Sequence, residues 1–172
     1  DPMFDRNRKG ATAAGLTVLW YPFLTPDDDD ATIAHALGLT EGLVPMLDWE
    51  AHGVTDDVVL RWQRAYEAQT GRTGFVYRGM WPPDRVTVEV GRWPWWLAEY
   101  ARQPRAQPWD GSPNPDWSRV WAGWQYSGAG RNPGITTPVD TDVLAMPLDV
   151  FKGFIATGAW PAFPHSKEST IA

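Results

Sequence analysis

Leu43-Val44-Pro45-Met46-Leu47-Asp48-Trp49-Glu50 is a short apolar run that ends in two acids separated by one residue. Apolar runs of this length read as buried strands. A strand sends residues i and i+2 to the same face, so Asp48 and Glu50 leave the strand end in one direction. Two carboxylates held close raise each other's cost of ionising and can take different roles. Such a pair suits glycoside hydrolysis, which needs an acid and a second carboxylate flanking one bond. The competing reading is a solvated loop start carrying two unrelated acids.

Working outward, the flanks alternate strands with helices. Phe4 to Ala14 reads as a helix ending at Gly15, and Leu16 to Phe23 as a strand. The run Asp27 to Asp30 is an acidic patch; a helix N-terminus is preferred over a metal site, because carboxylates there cap N–H groups and oppose the dipole. That helix is expected from Ala31 to Leu37. After Thr55, an N-cap residue, a helix is expected over 56–70, with Val58, Val59, Trp62, Ala65 and Tyr66 on one stripe and Gly71 ending it. Short strands follow at 74–77, 94–100 and 120–126, with a Pro- and Gln-rich loop at 101–116 and a last strand near Val139. Beyond Met146 no clear period is visible. The alternation predicts an α/β fold with parallel strands.

Bulk properties narrow the chemistry. The chain has 172 residues, enough for one domain with a real core. Its net charge of −6 and scattered Arg and Lys argue against a nucleic-acid partner. There is no cysteine, so no disulfide framework or thiolate chemistry. No apolar run reaches the ~20 residues of a membrane span, and no signal peptide is visible. No GxGxxG follows a strand, no phosphate loop is present, and Ser127 has no GxSxG context. His35, His52 and His165 show no metal spacing, so neither a metal nor an organic cofactor is expected. Twelve tryptophans stand out. Most are expected to fill core; a few suit the apolar faces of sugar rings in a cleft. The start at Asp1 without Met reads as a fragment, a processed chain or the ordered part of something longer.

Five stretches in order resemble the glycoside hydrolase family 25 lysozymes, the Chalaropsis-type muramidases of bacteria and phages. They are Asp1-Pro2-x-Phe4 with Asn7 and Ala13-Ala14-Gly15-Leu16; Leu19-Trp20-Tyr21-Pro22-Phe23; Leu47-Asp48-Trp49-Glu50; Trp96-Leu97-Ala98-Glu99-Tyr100; and Trp124-Gln125-Tyr126-Ser127 with Gly134-Ile135 and Val139-Asp140-Thr141-Asp142. The resemblance implies a modified (β/α)8 TIM-like barrel. Residues 1–144 would form its partial catalytic unit, and 145–172 a C-terminal tail or linker. It also implies a peptidoglycan hydrolase that cuts the β-1,4 bond between N-acetylmuramic acid and N-acetylglucosamine, acting at the bacterial cell wall as a secreted or phage-released lysin. Glu50 would be the general acid, its pKa raised by burial among aromatics and by Asp48. Asp48 would orient the 2-acetamido group, and Asp140 would be a further acid of the cleft. Tyr21, Tyr77, Trp96, Trp124 and Gln125 would line the sugar subsites.

Two departures from the family pattern set expectations. The family's opening strand, which bears an active-site Asp, and the next helix and strand have no counterpart here, so about six of eight strands are expected. The sheet should then be open beside residues 17–23, unless a missing N-terminal segment or a partner chain completes it, and the chain alone should be weak or inactive. Pro22 stands where the family commonly has His, which removes a ladder N–H. The alternatives from other classes are a non-catalytic module that grips wall glycan and a structural lysozyme-like component of a phage particle.

Overall fold

The computed structural model describes residues 2–79, 90, 93–100 and 121–158. The loop expected over 101–116 and the stretch 159–172 lie outside them. In chain order the elements are α1 (Phe4–Ala13), α2 (Asp30–Thr40), β1 (Met46–Asp48), α3 (Asp56–Thr70), β2 (Phe75–Gly79), β3 (Trp95–Ala98), β4 (Trp121–Gly130), β5 (Val139–Leu144) and α4 (Leu148–Thr157). The strands form one sheet in the order β1-β2-β3-β4-β5. The first three pairings are parallel, as the alternation predicts, with Leu47 opposite Val76 and Tyr77 opposite Trp96.

The last pairing corrects the expectation. β5 runs antiparallel to β4, with Gln125 opposite Asp142. Residues 131–138 are too few for a crossover, which takes a dozen or more; they suit a hairpin.

Residues 17–24 extend the sheet beyond β1. Trp20 and Phe23 bridge in parallel to Pro45 and Asp48, and the Asp48 and Met46 N–H groups donate to the Pro22 and Trp20 carbonyls at 3.0 and 2.8 Å. Pro22 accepts but has no N–H to return, so the ladder breaks into isolated bridges where a full strand was expected. Among the described residues nothing pairs with the other side of this segment, and the sheet is open.

Side-chain alternation divides the apolar residues between two layers. On one face Leu47, Val76, Trp95 and Leu97 pack with Ile33, Leu37, Val58, Val59, Trp62 and Tyr66 of α2 and α3. α3 follows the expected stripe, and Gln63 joins it, fully buried, its amide donating to the Val90 carbonyl at 3.1 Å. On the other face Phe75 and Trp96 pack with Phe151 and Phe154 of α4. The stretch beyond Met146, read as lacking a period, therefore contains a helix. It begins at Pro147, ends at a left-handed Gly158, and buries only Phe151 and Phe154, too few positions to show a repeat.

The acidic run is divided in two. Asp29 caps α2, accepting from the Thr32 N–H at 2.7 Å. Asp28 is buried and accepts from the Trp62 indole at 2.8 Å and the Thr25 hydroxyl at 2.7 Å. α2 runs past Gly38 to Thr40, longer than expected, because Thr40 is buried and bonds back to Leu37; left-handed Glu41 and Gly42 then stop it. Asp29→Ala should cost about 1 kcal/mol, the usual worth of such a cap. Thermal denaturation would show this as a Tm drop of about 2–4 °C; an unchanged Tm would mean that the bond contributes nothing.

Candidate active site

The site lies where the parallel strands end, the position at which barrel enzymes gather their reactive groups. The Asp48 backbone is held from both sides. Its N–H and C=O bond residues 22 and 24, and the next N–H, that of Trp49, donates to the Tyr77 carbonyl at 3.0 Å. This two-sided pairing sends the Asp48 side chain to the face shared by its register partner Tyr77.

Asp48 and Glu50 differ in environment. Glu50 is exposed, so the burial expected for it falls instead on Asp48. The Asp48 carboxyl is pushed up to about 6, first by burial and then by the charge of Glu50. Its Oδ1 is buried and has no hydrogen-bond partner. A buried acceptor in that state is expensive to keep as an anion, which agrees with the upward push on the carboxyl.

Tyr77 and Gln125 come together as expected: the Tyr77 hydroxyl donates to Gln125 Oε1. Burial raises the Tyr77 pKa, and the charges of Glu50, Asp48 and Asp140 all add to the rise. Asp140 is exposed at the start of β5, close to Gly128 and the Tyr100 hydroxyl. Tyr21 is 68% exposed on the 17–24 segment.

Trp96, opposite Tyr77 in register, and Trp124 were expected to line the sugar subsites. Trp96 is 9% exposed, its ring held against Phe75 and Phe151. Its indole N–H donates to Asp142 at 2.7 Å. Trp124 follows Gly123 and precedes Gln125, so it projects to the opposite face of β4, where its indole donates to the Glu99 carbonyl at 3.2 Å.

Three residues of the site were not singled out from the sequence. Tyr100 is 59% exposed, its hydroxyl near Gly128 as Asp140 is, and its pKa is raised, first by burial and then by Asp140 and Glu50, with Tyr77 opposing. Phe23 is 56% exposed and lies opposite Asp48 in register. Asp142 carries a raised pKa, from burial of its carboxyl, with the Trp96 bond opposing and the charge of Asp140 adding. The i, i+2 spacing of Asp140 and Asp142 repeats that of Asp48 and Glu50 and is the signal that points to this second pair.

On the rear of this rim, the Arg78 guanidinium stacks over Trp49 at 4.2 Å. Among the described residues no group of His, Cys, Asp or Glu has the arrangement to hold a metal ion, and no helix is long and apolar enough to cross a membrane.

The parallel strands, the flanking helices and the cluster at the strand ends define an α/β fold of the modified TIM-barrel type, here with its sheet unclosed. The chain belongs to the glycosyl hydrolases family 25, whose model matches residues 1–135. It is 26% identical over 166 residues to the uncharacterized protein YegX of Escherichia coli, covering 90% of this chain and 58% of that protein. The chain thus spans little more than half the length of that relative. Among solved structures it is similar to the lysozyme of Streptomyces coelicolor, with a TM-score of 0.67 at 20% identity, covering 92% of this chain and 81% of that one. The Clostridium perfringens spore cortex lytic enzyme SleM superposes with a TM-score of 0.64 at 24% identity, covering 86% of this chain and 55% of that one.

Proposed function

We propose that the protein is an N-acetylmuramidase, hydrolysing the β-1,4 bond between N-acetylmuramic acid and N-acetylglucosamine in bacterial peptidoglycan at the cell wall. The observation that carries this reading is the Asp48–Glu50 pair, one half-buried and one exposed, at the strand end beside Tyr77. The family membership and the lysozyme-like neighbours support it.

Glu50, at the open mouth, protonates the leaving glycosidic oxygen as the C1–O bond breaks. The carbonyl oxygen of the substrate's own 2-acetamido group attacks C1, an internal nucleophile in place of an enzyme carboxylate. Asp48 accepts the acetamido N–H through its carboxylate and holds that group in line. Water then opens the cyclic intermediate at C1, with Glu50 taking its proton. Tyr77, Gln125, Tyr21 and Asp140 contact the sugars, and no cofactor takes part.

The test is release of reducing sugar from purified cell walls by the full-length protein, with the new reducing end identified by mass spectrometry after borohydride reduction. Reduced N-acetylmuramic acid is the expected product. Reduced N-acetylglucosamine would make the protein a glucosaminidase, and binding without cleavage would make it a glycan-binding module.

A further inference from the structure

Trp96 has the features of a support more than of a sugar platform. Its ring meets Phe75 edge-on at 5.8 Å and 89°, and Phe151 of α4 at 6.2 Å and 64°. On the third side lies Gly123, where a Cβ would fall 2.4–2.6 Å from the indole ring atoms. Glycine at that position is what lets the ring lie flat against β4. The three contacts leave the indole one orientation, and in it the N–H points to Asp142 Oδ1 at 2.7 Å.

Asp142 is in turn tied to the site. It lies opposite Gln125 in register, Gln125 accepts from Tyr77, and Tyr77 lies opposite Asp48. The residue as a whole remains exposed while one of its oxygens is held by a buried donor. A carboxylate anchored through one oxygen presents the other in a fixed direction, whereas a free aspartate at a strand edge samples several rotamers.

We infer that Trp96 is a positioning residue which, through its indole N–H, holds Asp142 so that the second carboxylate oxygen accepts a hydrogen bond from a sugar hydroxyl or amide in the cleft. Asp142 is then a substrate-binding residue. This rests on the muramidase reading for the identity of the sugar, but not for the Trp96–Asp142 coupling itself.

The test is a double-mutant cycle in the full-length protein with Trp96→Phe, which keeps an aromatic ring and removes the N–H, and Asp142→Ala. KM and kcat are measured separately on soluble glycan strands. Each single variant should raise KM about 10- to 150-fold, the range of one hydrogen bond to a charged group, with kcat within about 3-fold because neither residue handles the transferred proton. The double variant should be no worse than Asp142→Ala alone. Additive losses, or an unchanged KM in Trp96→Phe, would overturn the inference.

If Trp96→Phe does not fold, Asp142→Asn decides. Its amide oxygen still accepts from the indole, so the Trp96 N–H resonance should stay near its wild-type NMR position and exchange slowly. Asp142→Ala should shift that resonance and speed its exchange. Equal spectra for both would sink the coupling without touching the muramidase reading. A wild-type protein that neither cleaves nor binds glycan would sink the muramidase reading and the sugar contact with it.

Discussion

Glu50→Gln should lower muramidase turnover by about 10²- to 10⁴-fold while leaving the fold intact, as expected for removal of a general acid–base group. The glycosidic leaving group is a poor one, which favours the upper part of that range. Glu50 is exposed and lies beyond the last residue of β1, so the amide adds no packing defect. Circular dichroism and Tm should match wild type. A folded Glu50→Gln protein with wild-type turnover would remove Glu50 from the acid role and leave Asp48, the other member of the pair, as the candidate.

Asp48→Asn should act in two directions. Activity should fall by about 10²- to 10³-fold, because the anionic acceptor for the acetamido N–H is lost at the moment charge develops. Stability should rise near neutral pH. The folded-state pKa of Asp48, about 6, lies above the 3.8 of an unperturbed aspartate, so the native state holds this proton more tightly than the unfolded chain. That contribution is fully present below pH ~4 and is lost as the pH climbs through ~6. An amide cannot ionise and loses nothing over the same window. Wild type and variant should therefore have similar Tm values near pH 4, and the variant should be more stable by about 1–2 kcal/mol at pH 7, after allowance for solvent screening. Parallel Tm-against-pH curves for the two proteins would show that Asp48 is not the strained group.

The parts of the site that the sequence revealed are those governed by spacing. Asp48 and Glu50 share a face because strands alternate, and the apolar run before them announces the strand. Tyr77 and Gln125 followed from strand ends and the family resemblance. What escaped the sequence depends on direction and burial. Trp96 and Trp124 carry equal weight as letters, yet one is enclosed by Phe75, Phe151 and Gly123 and the other lies across β4. Neither fate is encoded within a few residues of the ring. Tyr100 enters the site only because β3 delivers it beside Tyr77. α4 escaped for a different reason: its two buried phenylalanines pack in a core with Phe75 and Trp96, more than fifty positions earlier. The reversal of β5 was within reach of the sequence, since the link before it is too short for a crossover.

That reversal has a consequence for how such a barrel can diversify. β4 continues four residues past Tyr126 to Gly130, and β5 returns from Val139, so the hairpin between them stands above the rim where Asp140 and Tyr100 meet. Its tip, residues 131–138, is exposed throughout and contributes nothing to either apolar layer. Lengthening it, or exchanging its sequence, leaves the packed interior undisturbed. The tip is therefore the part of this sheet that can change in length and sequence while the carboxylates stay as they are.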